Sequence, residues 1–555
     1  MDISHILQEC RLDTVLEGLG VKSQSAKDLF KEQAGNWTTN MEILTARSEA
    51  WRRLTLLEKA CQNQTTTLLE KACQNQTTTL LEKASEKASE KAWQRHIPTL
   101  LANESILREL DPSTASESQT EDWSQILFTG ELASINFVPF VLMYVALSKI
   151  ILAPMIAWCM PFMTIILPYL ALRFVYNMPI TWDVYWQMMK PMIFGANTTT
   201  GITISTMLQW ASMIVSYAHG MYIPYTNAKH CYKIDQLMLK GSRAVIDTVT
   251  RLREIASTWS SSAIGIRKPW SFPDPATYGD ERQVLAWLVE DKHLLPQIYK
   301  AIGRVELTAA ILRCDALMPV EWVQSPIPCC KMVDAVDPLL SMEKRVPYTL
   351  VMGSKHHAIC TGPNRGGKST FLRSTLTNIV MAHVWGVAFA RRCILTPVEW
   401  VISSLRLEDR PGQESLFERE VSIAGEVLKR ARAGNLRGWV IIDELFHTTN
   451  PPDAATASQL FLRQLWDSQT VTSIVSTHLF SHAEGAPSNV QRLCVESVLD
   501  TGKINYTYKV ANGINTMSSV NELLVEAEII CLALAEPICV AEPICVPLES
   551  ENIAG

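Results

Sequence analysis

The sequence predicts an alternating α/β domain in its C-terminal part, preceded by a helical region and a long apolar segment, and three observations carry that reading. After Pro326, short apolar runs are each followed by turn residues and a helix-like stretch, the pattern of a largely parallel sheet covered by helices. Residues 362–369 read GPNRGGKS, a full match to the phosphate-binding loop G-x-x-x-x-G-K-[ST]. That loop sits between the apolar run 358–360 and a helix-like stretch over 370–384, the context it requires. Finally, between residues 132 and 228 only Lys149, Arg173, Asp183 and Lys190 are charged.

Composition narrows the class. Fifty Lys and Arg against fifty-six Asp and Glu give a net charge of −6 over 555 residues, which excludes a basic nucleic-acid coat protein. At roughly 100–200 residues per domain the length predicts several units with room for a sizeable core. The fourteen Cys are scattered and no C-x-x-C pair occurs, so they read as reduced, intracellular thiols rather than zinc ligands or a disulfide framework. The first thirty residues mix Asp2, Glu9, Arg11 and Asp13 with apolar positions, unlike a secretory signal.

Five regions follow in order. Residues 1–131 form a polar, helix-favouring N-terminal region in which LLEKACQNQTTT occurs at 56–67 and again at 68–79, then decays by residue 92. Twelve residues are about 3.3 helical turns, so successive copies rotate by about 120° and cannot stack one apolar face. A spacer made by sequence expansion is the first reading and a repeated binding array the second. Asp111-Pro112 and the Ser/Thr/Glu stretch after it read as a linker. Residues 132–228 are the apolar segment. The stretch 150–172 has no charge, enough to cross a hydrocarbon core of about 30 Å. Residues 132–148 nearly suffice, and 201–218 are a weaker candidate with Gln209 and several hydroxyls. Pro154, Pro161 and Pro168 recur on one helical side, and Trp158, Trp182, Tyr185 and Trp186 would suit a membrane interface. A transmembrane segment is expected, with a buried core as the alternative. Residues 229–325 are a helical region, with helical periodicity over 232–259 and 283–317. Residues 326–525 are the α/β domain, and 526–555 a loosely ordered tail in which AEPICV is repeated.

The chemistry lies in residues 326–525. Glycines of the loop let successive N–H groups face a phosphate chain, Lys368 supplies a charge to the β and γ oxygens, and the Ser369 hydroxyl suits Mg²⁺. Residues 439–444 read WVIIDE, a buried strand ending in two carboxylates at the sheet edge where ligands bind. Asp443 is expected to hold Mg²⁺ through water, and Glu444 to orient or deprotonate the attacking water. A further apolar strand over 471–476 ends at Thr477-His478, placing an imidazole where it could sense the γ-phosphate. His482 lies four residues on, with too few partners for zinc.

This constellation resembles the ATPase domain of MutS-type DNA mismatch-repair proteins. Residues 361–370, TGPNRGGKST, are similar to that family's phosphate loop, including Asn364. Residues 409–420, DRPGQESLFERE, resemble its signature loop, with Ser415, Phe417 and Glu420 on the S-x-F-x-x-E positions. DELFHTTNPPD at 443–453 and STH ending at His478 complete the order. Asp337-Pro338-Leu339-Leu340 sits where a His-Pro pair commonly opens the domain, and the helices before it resemble the lever. The resemblance covers roughly residues 300–525, and more weakly back to about 230. It implies an ABC-ATPase-like P-loop NTPase that binds ATP and Mg²⁺. Residues 362–370 (Gly362, Pro363, Asn364, Arg365, Gly366, Gly367, Lys368, Ser369 and Thr370) cradle the nucleotide; Ser369 and Asp443 hold the metal; Lys368, Glu444 and His478 are catalytic. It also implies a homodimer, or a heterodimer with a related ATPase, in which Ser415 of one subunit reaches the γ-phosphate held by Lys368 of the other. DNA is the partner it suggests.

The departures are as informative. Arg365 replaces an apolar residue of the family's loop, and His447 and Thr448 stand where mismatch-repair members carry a glycine-rich turn. The family's mismatch-reading Phe-x-Glu tripeptide occurs here only at Phe30–Glu32, read as a chance occurrence. The best basic cluster, Arg243, Arg251, Arg253, Arg267 and Lys268, is interleaved with Asp247 and Glu254, the pattern of a solvated helix face. The expectation is therefore a membrane-associated branch of MutS-like ATPases, with the ATPase on the cytosolic or nucleoplasmic side and the membrane engaged through residues 132–228. The rivals are a membrane-coupled motor or regulator with no nucleic acid, and a soluble intracellular protein. No LSGGQ-like signature is present, which argues against an ABC transporter.

Overall fold

The structure is a computed structural model that describes residues 3–55, 92–109, 111, 122–194, 204–261, 270–277, 280–405, 415–500, 503–519 and 544–546. The repeat at 56–91, the stretch 112–121, the signature-loop residues 406–414 and most of the tail lie outside the described residues. The chain divides into two compact units. One comprises residues 1–97, 258–268 and 300–555, the other 98–257 and 269–299.

The strands of the first unit are β1 (Leu317–Pro319), β2 (Glu321–Trp322), β3 (Cys330–Ala335), β4 (Tyr348–Met352), β5 (His357–Thr361), β6 (Val387–Phe389), β7 (Arg392–Leu395), β8 (Trp400–Ser404), β9 (Gly438–Ile442), β10 (Val471–Ser476), β11 (Val490–Asp500), β12 (Lys503–Ile514) and β13 (Ile544–Val546). Seven of them form a central sheet in the order β13-β12-β11-β5-β10-β9-β8, with β2-β7-β3-β4 and β1-β6 as smaller sheets. Strands β11, β5, β10, β9 and β8 are parallel, and at one edge β12 pairs antiparallel with β11 and β13 antiparallel with β12. Every residue of β5, β9 and β10 is buried. Their unbroken apolar runs follow from that, since a central parallel strand is covered on both faces. Registers Ser476↔Cys360 and Val475↔Ile442 bring the C-terminal ends of these three strands level at one edge. Packing behind them is close: a Cβ on Gly438 would lie 2.1 Å from the Trp400 ring, so glycine is required where the indole crosses β9.

The helix Lys368–Trp385 follows the phosphate loop, and fifteen of its eighteen residues are buried. A helix buried on all sides needs partners on all sides, and the N-terminal residues supply part of them. Phe30, on the helix Gln24–Gly35, is fully buried and stacks on Trp385 at 6.4 Å. The Trp51 indole donates to the Trp385 carbonyl at 2.6 Å, Arg47 donates to the His383 carbonyl at 2.6 Å, and Trp37 stacks on the His383 ring at 4.3 Å. The Glu306 carboxylate accepts from the amides of Lys22 and Ser23 at 2.7 and 3.0 Å. Residues 3–55, read from sequence as part of a polar N-terminal region, thus share the core of the α/β unit. Phe30 in particular is a core residue, which closes the wedge reading of Phe30–Glu32.

The second unit is helical. Within 132–148, Gly130–Phe137 is a 3₁₀ segment and Phe140 takes φ 65°, so the apolar helix starts only at Val141. It runs unbroken from Val141 to Val175 and, among the described residues, is the one helix long and apolar enough to cross a membrane. Wide π turns at Ser148–Leu152 and Ala171–Val175 flank its proline-bearing centre. Residues 204–218 and 232–259 belong to a single helix, Ile204–Ser261, nearly all of it in this unit. The continuous helix expected over 283–317 is instead two, Glu281–Glu290 and Leu294–Arg313, followed by β1. The break has a local cause: the Asp291 carboxylate accepts from the His293 amide at 3.0 Å, a turn that competes with the helical ladder.

Candidate nucleotide site

The phosphate loop leaves β5 at Thr361 and closes on the helix Lys368–Trp385. Gly362, Arg365 and Gly367 take φ of 147°, 65° and 101°, a run of left-handed conformations that turns the backbone inward. A Cβ on Gly366 would meet the Pro363 carbonyl at 2.9 Å, so the curl exists only with glycine there. The first helical amides, at 368–370, have no acceptor within the helix and face the loop. Lys368 is buried, its ammonium donating to the Gly362 and Pro363 carbonyls at 3.0 and 3.2 Å. Burial pulls its pKa below the ordinary lysine value. Asn364, Arg365 and Ser369 are exposed and Thr370 half-exposed, so the Ser369 hydroxyl is open to a ligand at the helix start.

Asp443 and Glu444 follow β9 directly, and Glu444 and Phe446 take φ of 53° and 52° in the turn. Non-glycine residues in this region carry strain and gather at functional sites. At the end of the adjacent strand β10, the buried Ser476 hydroxyl donates to the Asp443 carboxylate and accepts from the Glu444 amide, the latter at 2.9 Å. His478 lies two residues on, its Nε2 3.0 Å from Glu444 Oε1. That hydrogen bond, helped by the charges of His478, Lys368 and His447 and opposed by burial, holds the Glu444 carboxyl below the usual carboxylate range. The carboxylate is therefore ionised at neutral pH and already fixed in direction.

The signature helix Leu416–Ala433 opens with Ser415 as its N-cap. The Ser415 hydroxyl accepts from the Glu418 amide at 3.2 Å and lies 3.0 Å from its carboxylate, a capping box in which Ser415 stays exposed. Phe417 packs edge-on against Phe446 at 6.1 Å. The buried Glu420 carboxylate accepts from the Thr448 hydroxyl at 2.6 Å and pairs with His447 Nδ1 at 2.9 Å. The two residues that depart from the glycine-rich turn of the family thus anchor its signature helix to the turn carrying the carboxylates.

Lys368, Asp443, Glu444 and His478 accordingly converge at one sheet edge, while Ser415 stands exposed at a helix start. Donor chemistry also fits Mg²⁺, since a hydroxyl and a carboxylate oxygen are the hard ligands it takes. Two residues escaped the sequence reading. Ser476 was visible in STH, but that it serves both carboxylates depends on register. Tyr508 carries φ 59° on β12 and is half-exposed, and its ring carbon would lie 3.2 Å from a Cβ on Gly367. Only the β11–β12 pairing brings it beside the loop. The basic cluster is neutralised in part: Arg243 pairs with Glu281 at 2.8 Å, Arg251 with Asp247 at 2.9 Å and Arg253 with Asp274 at 2.7 Å. Arg267 and Lys268 lie outside the described residues.

Residues 358–528 match the family model for MutS domain V. The chain is similar to DNA mismatch repair protein Msh6 of Gallus gallus, 32% identical over 148 residues, which is 25% of this chain and 11% of that protein. It resembles human DNA mismatch repair protein Msh6 at 33% over 139 residues, 25% of this chain and 10% of the relative. DNA mismatch repair protein MutS of Geobacillus thermodenitrificans is 25% identical over 183 residues, 32% of this chain and 20% of the relative. The matched segment thus spans about a tenth to a fifth of these relatives' length. Phosphate loop, carboxylate turn, imidazole and signature helix all fall within residues 358–528, the segment that is similar to MutS domain V.

Proposed function

We propose that the chain binds and hydrolyses ATP as a dimer with composite nucleotide sites. The observation that carries this is the convergence of Lys368, Asp443 and the Glu444–His478 pair at one sheet edge. Residues 362–370 wrap the phosphates with backbone amides, and Lys368 exchanges its contacts to Gly362 and Pro363 for phosphate oxygens. Mg²⁺, held by Ser369 and through water by Asp443, would supply positive charge to the phosphates. Glu444, ionised and aimed by His478, orients the attacking water and accepts its proton. Tyr508, beside the loop with its ring half-exposed, is placed to cover the bound nucleotide. Ser415, exposed at the start of its helix, supplies the contact to the partner's γ-phosphate, and the Glu420–Thr448 bond links that helix to the site's own carboxylates. The relatives named above are mismatch-repair proteins, and mismatched DNA is the partner proposed by that likeness.

A second reading has its own support. The exposed apolar helix Val141–Val175 and the paired state of Arg243, Arg251 and Arg253 favour a membrane-coupled ATPase, the membrane being engaged through residues 132–228. The test is the steady-state ATPase rate of the detergent-solubilised full chain, alone and with matched or mismatched duplex, with Glu444→Gln as the blank. General-base loss predicts a fall of about 10²–10⁴-fold in that variant with ATP binding retained. Stimulation by mismatched duplex alone supports the repair reading; Glu444-dependent turnover indifferent to DNA supports the membrane-coupled one. Unchanged turnover in Glu444→Gln overturns the assignment of the base.

A further inference from the structure

The membrane reading above leaves the topology open, and a feature of the first unit constrains it. Residues 3–55 and residues from 300 onward share one core, through Phe30 on Trp385, Trp51 on the Trp385 carbonyl and Glu306 on the amides of Lys22 and Ser23. A single folded body of this kind lies on one side of a bilayer. The chain that leaves it near residue 97 and rejoins it at residues 258–268, and again from residue 300, must therefore cross an even number of times between 97 and 258, and a lone crossing by Val141–Val175 is excluded.

The second unit contains the return pass. Tyr217, on the helix Ile204–Ser261, donates to the Trp158 carbonyl at 3.2 Å, and Cys231 on the same helix reaches Gln125 Oε1 at 3.1 Å. Gln125 also accepts from Lys149 through its carbonyl. Residue 231 thus stands level with residue 149 and residue 217 with residue 158, so the two helices are antiparallel. The returning chain carries no Asp, Glu, Lys or Arg from 191 to 228. Its Gln209 and hydroxyls are tolerable in the second of two paired helices.

The chemistry of the pair matches a bilayer. Val141–Val175 has none of its apolar window buried, and from Lys149 to Arg173 it rises about 36 Å at 1.5 Å per residue, against a hydrocarbon core of about 30 Å. Carbonyls near its internal prolines receive donors from neighbouring helices: Tyr217 serves Trp158, three residues before Pro161, and Tyr185 serves Ile165, three before Pro168, at 2.8 Å. In hydrocarbon a disturbed carbonyl has no other partner. Near Arg173, which donates to the Tyr169 hydroxyl at 2.7 Å, the rings of Tyr169, Trp182 and Tyr185 cluster at 5.0–5.8 Å, the composition of an interfacial belt.

We infer that Val141–Val175 and the part of Ile204–Ser261 up to about residue 228 form an antiparallel hairpin pair that crosses a lipid bilayer twice, with Val141 and Ala228 on one side and Arg173 and Ile204 on the other. This rests on the membrane reading, and the experiment separates the two. The full chain carries a glycosylation-acceptor tag at each end and a third in a spacer placed between Phe194 and Ile204, and is translated with endoplasmic-reticulum microsomes. The expected result is a carbonate-resistant chain whose two end tags share one state while the central tag takes the opposite one. End tags in different states, or a central tag in the same state as the ends, overturn the hairpin while leaving the membrane reading intact. Release into the carbonate supernatant overturns the membrane reading itself.

Discussion

Ser476→Ala isolates how the site holds its carboxylates. The hydroxyl is buried, donates to Asp443 and accepts from the Glu444 amide at 2.9 Å, so its loss removes one hydrogen bond to a charged group and one neutral bond. With a charged partner contributing about 1.5–3 kcal/mol and a neutral one about 0.5–1.5, the native turn loses roughly 2–4.5 kcal/mol of restraint. Asp443 and Glu444 remain, but each is freed to leave the position in which Ser476 holds it. If about 1.4–2.8 kcal/mol of that restraint bears on the transition state, kcat falls about 10- to 100-fold, and the Mg²⁺ concentration for half-maximal rate rises because Asp443 is no longer fixed. The assay is steady-state ATP hydrolysis across a Mg²⁺ titration, with circular dichroism to confirm the fold. A folded variant with unchanged kcat and unchanged Mg²⁺ dependence would refute the positioning role, since the two bonds would then be incidental.

Three other perturbations test separate parts of the structure. His478→Gln removes the main cause of the low Glu444 pKa. A depressed carboxylate keeps its activity until pH falls through the depressed value, so this variant's acid limb in kcat should move up towards the ordinary glutamate value of about 4.3; an unmoved limb means that His478 does not tune the base. Phe30→Ala, in the core beneath Trp385, should cost about 3–5 kcal/mol and lower the denaturant midpoint of ATP-binding loss, whereas a shift worth under about 1 kcal/mol would place the N-terminal helices outside the cooperative unit. Gly438→Ala drives a methyl to 2.1 Å from the Trp400 ring and should cost about 1–3 kcal/mol, recovered in large part by adding Trp400→Leu; failure of the second change to help would locate the strain in the backbone instead.

Local features were legible where sequence and geometry are read over a few residues. The phosphate loop, the strand before it and the helix after it follow from GPNRGGKS and its flanks, and WVIIDE reads directly as a buried strand with carboxylates at its end. Contacts set by long-range register were not legible. Nothing near Tyr508 in sequence announces that β12 carries its ring to Gly367, and Ser476 serves Asp443 and Glu444 only because β10 lies beside β9. The N-terminal helices were misjudged for a related reason. Their mean polarity suggested a solvated region, but Phe30, Trp37 and Trp51 are spaced to cover one other helix, and polarity averaged over the segment hides three aromatic anchors. The break at Asp291 was missed because apolar periodicity continues across it, while the side chain stops the helix through its own turn.

The helix Lys368–Trp385 gives these contacts a common consequence. Its first residue is Lys368, the lysine proposed to hold phosphate, and its last carries Phe30 and Trp51. Between them, Arg373 pairs with the buried Asp337 at 2.7 Å, fixing the segment that opens the domain. Asp337 in turn accepts from the Leu339 amide at 2.9 Å. A helix so fully enclosed cannot bend to absorb a displacement of the phosphate loop, because close-packed interiors move between discrete arrangements rather than deforming continuously. Closure of the loop on a nucleotide must then shift the helix as a rigid body or leave it in place. In the first case the shift reaches the N-terminal helices directly, through the stacked His383–Trp37 pair and the bonds at Trp385. In the second, all movement is confined to the loop and the carboxylate turn, and the Glu420–Thr448 link is the remaining path from nucleotide to signature helix. The two cases differ in one observable: nucleotide-dependent change in Trp37 and Trp51 fluorescence belongs to the first alone.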